Sequence, residues 1–263
     1  LPSLIFGILS VWFLYQFVSR IFNQRIAAIS ALLLTLNAYH IFISTTARGY
    51  SLFIMLVILS ADYFFRIFLE NLTTKKNEII FAFVNCLLIY THLTAINLFL
   101  GQIIIIFLTN KKNIINWIKI HIIPIILWSI WAIPSLNNKL NSDVIRGAWF
   151  LNIDFNLITI SKTIQLLLFG TINWLFGAMF IILFISAAIF TIFKQKEILQ
   201  TNKKILYLLL FFLLPFIVTA AFGVWSIKFI ILAMPFMVVI AAYAMATCCQ
   251  HKILIFIITL AIV

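Results

Sequence analysis

Arg48 lies in a short polar stretch between two long apolar runs, Ser44-Thr-Thr-Ala-Arg-Gly-Tyr-Ser-Leu52, and it is the only cation between Arg25 and Arg66. A guanidinium group held where two membrane helices leave the lipid is suited to binding an anion, because its forked donors match the oxygens of phosphate or carboxylate. The type and position of Arg48 therefore predict an anion-binding site at a membrane boundary.

Two further basic side chains are expected at the same membrane face as Arg48. In the topology given below, three helices begin at this face, and each helix N-terminus carries free N–H groups and a positive dipole end. A lipid-linked phosphate would suit such a place. The alternative is that the side chains only reach the interface and that the histidine is a hydrogen-bonded turn residue. Each of the three helix starts has a basic side chain beside it: Arg48 beside Tyr50, His92 beside Leu93, and Lys228 beside Ile227.

His40 and two aspartates complete the set of candidate site residues. His40 lies close to Arg48 in sequence, and it either contacts a ligand or occupies the membrane interface. A transferase that moves a sugar from a phosphate needs a carboxylate to accept the proton of the acceptor. Asp143 and Asp154 are the two carboxylates expected at this face, and a solvated surface role is the alternative for both. The catalytic base is therefore not identified.

The sequence does not indicate a cofactor. It has no Cys and His spacing typical of a metal site, no glycine-rich phosphate loop and no serine nucleophile elbow. We therefore predict no metal site, and a divalent ion is not indicated. Asp62 and Arg66 stand four residues apart in one apolar segment, which favours an internal ion pair over a proton relay.

The composition places these residues in a membrane protein. Of the 263 residues, 65% are hydrophobic and 9% are charged, and the mean hydropathy is +1.21. These values exclude an ordinary soluble domain. The net charge of +12 comes from short basic clusters between apolar runs, a pattern that orients membrane helices and is not typical of nucleic-acid binding.

The apolar runs predict an all-α fold, a polytopic bundle of about ten transmembrane helices, since a crossing needs about 20 apolar residues. The crossings are expected near residues 1–19, 26–43, 50–69, 78–92, 93–109, 120–135, 173–193, 205–222, 227–247 and 253–263.

Basic clusters occur in alternate loops and mark the cytoplasmic face. The polar connection 136–156 then lies outside the cytoplasm, and the short apolar stretch 157–169 is predicted to be an interfacial or re-entrant helix. We expect residues 1–263 to form a single transmembrane domain that is incomplete at both ends, because the chain starts with Leu and ends inside an apolar run.

Four segments occur in an order and spacing that resemble a known family. They are Leu1-Pro-Ser-Leu-Ile-Phe-Gly-Ile-Leu9, Ala31-Leu-Leu-Leu-Thr-Leu-Asn-Ala-Tyr-His40, Ser44-Thr-Thr-Ala-Arg-Gly-Tyr-Ser-Leu52 and Tyr90-Thr-His92. The chain resembles the bacterial family-39-like glycosyltransferases, relatives of the dolichyl-phosphate-mannose protein mannosyltransferases. The resemblance covers most of the chain, is strongest over residues 1–110, and is weaker at Ser226-Ile-Lys-Phe229 and Met234-Pro-Phe236.

The resemblance implies a GT-C membrane enzyme that transfers a sugar, with inversion, from a polyprenyl-phosphate donor to an acceptor outside the cytoplasm. It places the acidic catalytic residue in a first external loop, in a region that would precede Leu1. Two positions depart from the family. Thr46 stands where an acidic residue is common, and Lys228 stands where the family has Arg, which keeps the charge without the guanidinium fork.

We therefore expect a glycosyltransferase of the bacterial inner or plasma membrane, with its active face outside the cytoplasm. Its partners would be a polyprenyl-phosphate-linked sugar, the lipid bilayer and an acceptor glycan, lipid or protein, with no nucleic acid. The isolated chain lacks the expected acid, so two alternatives stay open. One is a transporter or flippase for a lipid-linked sugar, and the other is a non-catalytic membrane subunit that binds polyprenyl phosphate. The residues expected at the donor phosphate and sugar are Arg48, Tyr50, His92, Lys228 and His40.

Overall fold

The computed structural model describes residues 1–140, 199–221 and 227–248, and every regular element in these ranges is helical. This confirms the all-α fold class for the described residues. The helices are α1 (Pro2–Ile21), α2 (Gln24–Leu36), α3 (Ala38–Thr45), α4 (Tyr50–Phe64) with a π-helical turn (Phe65–Leu69), α5 (Lys75–Thr91), α6 (Ala95–Thr109), α7 (Asn113–Leu140), α8 (Leu199–Ala221), α9 (Ile227–Ile230) and α10 (Ala233–Cys248).

Several of these helices could cross a membrane. Four of the described helices are long and apolar enough to cross, and the bent pair α2 and α3 would count as one further span. α6 and α10 are apolar but shorter than these candidates. The described residues therefore contain four or five candidate spans, and the bundle of about ten crossings stays a prediction. The four unbroken candidates are Pro2–Ile21, Tyr50–Leu69, Asn113–Pro134 and Lys203–Ala221.

The crossing predicted near 26–43 consists of two helices, α2 and α3, which together would count as one broken span. The chain bends by 60° between α2 and α3. Asn37 lies at the break with φ −68° and ψ 115°, and its side-chain oxygen accepts a hydrogen bond of 2.8 Å from the N–H of His40. This bond caps the N-terminus of α3, because it satisfies a donor that has no partner inside the helix. The predicted helix 227–247 is likewise divided, into α9 and α10.

The opposite difference occurs in α7, which is longer than predicted. It runs over 28 residues and contains Pro124 and Pro134. Residues 136–140 of the predicted external connection are consequently helical. The rest of that connection lies outside the described residues. So do the predicted interfacial helix 157–169 and the predicted crossings 173–193 and 253–263.

α4 is largely buried, and it packs on both α1 and α5. The ring of Phe65 meets the ring of Phe17 edge-on with centroids 5.3 Å apart, and Phe64 meets Phe211 of α8 at 6.1 Å. α8 in turn packs on α6 and α10. Lipid is as apolar as these side chains, so close packing of this kind is what holds membrane helices together.

A chain of hydrogen bonds joins α4, α5, α6 and α7 inside this apolar packing. Ser60 Oγ donates to Asn85 Oδ1 at 2.5 Å, and Asn85 Nδ2 donates to His121 Nε2 at 2.8 Å. Gln102 Nε2 donates to Ser60 Oγ at 3.1 Å, and Trp117 Nε1 donates to Gln102 Oε1 at 2.9 Å. An amide nitrogen only donates, so the proton of His121 is on Nδ1 and goes to the Trp117 carbonyl. Every member has a partner, and the network therefore fixes the four helices relative to one another.

Charged side chains gather at one end of the bundle. Asp62 pairs with Arg66 at 2.8 Å and with Arg20 at 2.5 Å, and Arg20 also pairs with Glu70. The predicted ion pair of Asp62 with Arg66 is thus confirmed as part of a larger network. We call this region, defined by Arg20, Asp62, Arg66 and Glu70, the charged end of the bundle. Lys204 joins α8 to it by donating to the carbonyl of Ile21 at 3.0 Å.

Candidate functional site

The opposite end of the bundle holds an open cleft of about 560 Å³. It lies between the beginning of α1 and the connection from α3 to α4, and Arg48 stands on its wall. We call it the Arg48 cleft. Its walls are residues 1–4, Phe6, residues 44–49 and Leu52.

The backbone at Arg48 is held by two hydrogen bonds. The N–H of Arg48 donates to the carbonyl of Thr46 at 2.8 Å, and Ser3 Oγ donates to the carbonyl of Arg48 at 3.4 Å. The guanidinium group is exposed and forms no hydrogen bond or ion pair with any residue in the described ranges. A guanidinium in this state keeps all of its donors for a ligand.

The N-terminus of α4 adds further donors to the same place. Gly49 is its N-cap, provides no side-chain cap, and accepts the first helical hydrogen bond from Phe53 at 2.9 Å. The N–H groups of the first turn therefore have no acceptor within the helix. A guanidinium beside the free N–H groups of a helix N-terminus is an arrangement suited to phosphate and carboxylate groups.

Aromatic rings and His92 lie next to this helix start. The ring of His92 is 5.9 Å from the ring of Tyr50, 5.2 Å from Phe53 and 6.3 Å from Phe229, measured between centroids. A Cβ added to Gly49 would lie 3.6 Å from a methyl group of Thr91, so the segment that carries Arg48 packs against the end of α5. The structure thus brings Tyr50 and His92 together, beside the segment that carries Arg48.

His92 is a neutral hydrogen-bond donor in this arrangement. The backbone N–H of Thr94 points to His92 Nδ1 at 3.3 Å, and the Thr94 hydroxyl lies 2.7 Å from the same nitrogen. A backbone N–H can only donate, so Nδ1 is the acceptor and the ring proton is on Nε2. Burial, and secondarily the charge of Lys228, lower the pKa of His92. At neutral pH the ring of His92 therefore offers an uncharged N–H.

Lys228 belongs to the same end of the bundle. It lies in α9 and is close enough to His92 to act on its ionisation, and its neighbour Phe229 touches the His92 ring. The described part of α9 begins at Ile227, and α6 begins at Ala95, two residues after the predicted Leu93.

His40 has a different environment from the other candidates. It is buried, and its Nε2 lies 2.8 Å from Ser10 Oγ of α1. The Ser10 hydroxyl donates to the carbonyl of Gly7 at 2.6 Å, so Ser10 accepts the bond from Nε2–H of His40. His40 lines a smaller cavity of about 180 Å³ rather than the Arg48 cleft. In the structure His40 therefore joins α3 to α1 through its hydrogen bond with Ser10.

Carboxylates are absent from the described part of this end. The three that the structure describes are Asp62 and Glu70, at the charged end, and Glu78, which accepts a 3.3 Å bond from Asn116 at the start of α7. Asp143 and Asp154 lie outside the described residues. Within the described ranges no group of three or more His, Cys, Asp or Glu side chains could hold a metal ion.

Two residues of this region were not expected from the sequence. Thr94 determines the tautomer of His92, and Asn97 is a buried amide one turn further along α6. A sequence signal exists only for Asn97, which is a polar residue inside an apolar run.

No family model, curated protein or solved structure matches the chain.

Proposed function

We propose that the protein is the membrane part of a glycosyltransferase that takes a sugar from a polyprenyl-phosphate donor. The observation that supports this most is the Arg48 guanidinium, which has no protein partner among the described residues and stands on the wall of a mainly apolar cleft beside the N-terminus of α4. A polyprenyl phosphate combines an anionic head with a hydrocarbon chain. The cleft offers donors for the head and apolar walls for the chain.

The side chains at this end suit the departure of a phosphate. Negative charge develops on the phosphate oxygens as the bond to the sugar breaks, and cations placed there stabilise that charge. We assign this role to Arg48, with Lys228 as a second cation. The Nε2–H of His92 donates to an oxygen of the sugar or phosphate, and Tyr50 flanks it. The base stays unassigned, with Asp143 and Asp154 as the candidates in this chain.

The active face is proposed to be outside the cytoplasm. The charged end is next to the basic clusters of the loops, and such clusters mark the cytoplasmic side of membrane proteins. The Arg48 cleft lies at the other end of α1 and α4 and would therefore open to the opposite side.

A non-catalytic subunit that binds polyprenyl phosphate is the second candidate. One observation favours it, namely that the described part of the Arg48 end contains no carboxylate. Thr46, which lines the cleft, cannot act as a base. Such a subunit would bind the same lipid and leave the sugar in place.

Binding to the lipid head can be tested with polyprenyl phosphate in phosphatidylcholine vesicles, with polyprenol as the uncharged comparison. Arg48→Ala should weaken the binding of polyprenyl phosphate about 10- to 100-fold, because a hydrogen bond to a charged group is worth about 1.5–3 kcal/mol. Binding of polyprenol should not change. Arg25→Ala is the matched control, since Arg25 is exposed and lies after the other end of α1.

Turnover separates the two candidates. A polyprenyl-phosphate sugar is incubated with the protein in its native membrane, and the release of free polyprenyl phosphate is measured. Release that depends on Arg48 supports the glycosyltransferase. Binding without release supports the subunit, and equal binding in Arg48→Ala and in the unchanged protein would overturn both.

A further inference from the structure

A third cavity, of about 340 Å³, lies between the beginning of α6, the end of α8 and α9. Its walls are mainly apolar and include Leu93, Ile96, Val218 and Phe229. It shares no lining residue with the Arg48 cleft. We call it the Asn97 cavity, after the amide described next.

Asn97 is a buried polar side chain on the wall of this cavity. Only 4% of its surface is exposed, it lines this cavity, and its amide makes no hydrogen bond within the described part of the chain. The two other polar side chains of the wall are already engaged, because Thr219 Oγ1 donates to the Pro215 carbonyl at 2.7 Å and Thr94 Oγ1 lies 2.7 Å from His92 Nδ1. An amide buried among apolar groups without a partner is unfavourable, so the position of Asn97 calls for a ligand group.

We propose that the Asn97 cavity binds a neutral hydrocarbon that carries a hydroxyl group. A carboxamide both donates and accepts hydrogen bonds, and a hydroxyl is the smallest group that can do both in return. Among the described residues no charged side chain lines the cavity, which disfavours a phosphate or an ammonium head. The apolar walls then bind the hydrocarbon.

The size of the cavity agrees with such a ligand. An apolar protein cavity of about 150 Å³ binds benzene, and the Asn97 cavity is roughly twice as large. It falls at the lower end of the volumes found for small-molecule sites, which are also mainly apolar with a few polar groups. A chain of several carbon atoms ending in an alcohol fits these limits.

This inference does not depend on the proposed glycosyltransferase activity, because its test is binding alone. It does connect the cavity with the site described above. Phe229 forms part of the cavity wall and also touches the ring of His92. A hydroxyl-bearing ligand would therefore lie beside the residues that surround His92.

The test uses two photoreactive probes in phosphatidylcholine vesicles that contain the whole protein. One is a decanol with a diazirine in its chain, and the other is the methyl ether of the same molecule, which cannot donate a hydrogen bond. Labelled peptides are identified by mass spectrometry. The alcohol should label the peptides of the cavity wall about fivefold more than the ether, since one net hydrogen bond separates the two probes.

Two substitutions make the test specific. Asn97→Leu removes the amide and should reduce labelling by the alcohol to that of the ether, while labelling by the ether reports that the cavity is intact. Thr219→Val is the matched control, and it should keep the fivefold ratio because the Thr219 hydroxyl is already bonded to Pro215. Asn97→Leu could fill the cavity, and labelling by both probes would then be lost. In that case the smaller Asn97→Ala is used, and it should lower the ratio of alcohol to ether labelling from about fivefold to one.

Three results would overturn the proposal. They are equal labelling by the two probes in the unchanged protein, a preference for the alcohol that survives removal of the amide, and an absence of label on the cavity wall with both probes.

Discussion

The two ends of the bundle use arginine in opposite ways. At the charged end, the guanidinium groups of Arg20 and Arg66 both contact Asp62, and Arg20 also contacts Glu70. At the other end, Arg48 has no carboxylate partner among the described residues and lies on the wall of an open cleft. The protein neutralises the arginine charge with carboxylates at the charged end, and at the other end the arginine charge faces an open cleft.

The difference separates a structural charge from one that can bind a ligand. A cation enclosed by carboxylates has its donors occupied, and its removal acts mainly on stability. An exposed cation without a partner contributes little to stability, and its removal acts mainly on whatever anion it meets. The charged end should therefore respond to substitution in unfolding experiments, and the Arg48 end should respond in binding experiments.

The largest effect is expected from Asp62→Asn. The change leaves Arg20 and Arg66 close together, with Glu70 as the remaining carboxylate of the network. Breaking such a partly buried group by removing one partner should destabilise the protein by about 3 kcal/mol. Unfolding by sodium dodecyl sulfate in mixed micelles measures it, and the affinity for polyprenyl phosphate should stay within about twofold.

Glu78→Gln is the control for that change. Among the described residues Glu78 meets only a neutral amide, Asn116, at 3.3 Å, so loss of its charge should cost less than about 1 kcal/mol of stability. Similar costs for the two substitutions, or a loss of phosphate binding in Asp62→Asn, would show that the two ends do not differ as described.

Some of this contrast can be predicted from the sequence. Helix α4 begins at Tyr50 as expected, because the polar stretch before it interrupts two apolar runs. The pair of Asp62 and Arg66 follows from their spacing on one helix. The contact of Arg20 with Asp62 spans 42 residues, and no local pattern reveals a contact between distant helices.

Other features depend on single hydrogen bonds that hydropathy does not detect. The break at Asn37 arises because its side chain caps α3, although the run around it is apolar enough for one helix. His40 is near Arg48 in sequence, but in the fold its ring meets Ser10 of α1. The neutral state of His92 depends on the N–H of Thr94 and on burial, and neither can be inferred from the residue type.

A second prediction concerns the helix contact behind the Arg48 cleft. A Cβ added to Gly7 would lie 2.3 Å from Ser44 Oγ, so Gly7→Ala must push α3 away from α1. We expect a loss of stability of about 2 kcal/mol, typical of overpacking, together with weaker phosphate binding because Ser44 also lines the cleft. Unfolding and vesicle-binding experiments measure the two effects.

Gly49→Ala is the matched control for Gly7→Ala. The new Cβ would lie 3.6 Å from Thr91, which is an ordinary contact, and the φ of Gly49 is −73°, which alanine adopts readily. Its stability should therefore change by less than about 0.5 kcal/mol. Equal losses at both glycines would contradict the close packing of α1 on α3.

A third prediction makes the Arg48 end resemble the charged end. Thr46 lines the same cleft as Arg48, so Thr46→Glu places a carboxylate within reach of the guanidinium. We expect affinity for polyprenyl phosphate to fall about tenfold in buffer without divalent ions, because the new charge competes for Arg48 and repels the phosphate. Thr46→Gln should stay within about twofold, and the same loss in Thr46→Gln would indicate a steric effect.

The smallest effect is expected from the ionisation of His92. Burial, and secondarily Lys228, lower the pKa of His92 in the folded protein. The unfolded chain therefore takes up the proton first as the pH falls below about 6.5, so the contribution of the neutral ring is present above that pH and is lost toward the lower folded pKa. The unfolding midpoint should fall more between pH 7 and pH 5 in the unchanged protein than in His92→Gln.

Lys228→Met distinguishes the two causes of this pH dependence. Removing the charge should make the fall smaller without abolishing it, because burial is the larger cause. An unchanged fall in Lys228→Met would place Lys228 too far from His92 to act with it. The same fall in His92→Gln as in the unchanged protein would mean that other groups carry the pH dependence, and that His92 is not held neutral by the fold. Either result would weaken the view that Arg48 is the main anion-binding cation at this end and His92 its uncharged neighbour.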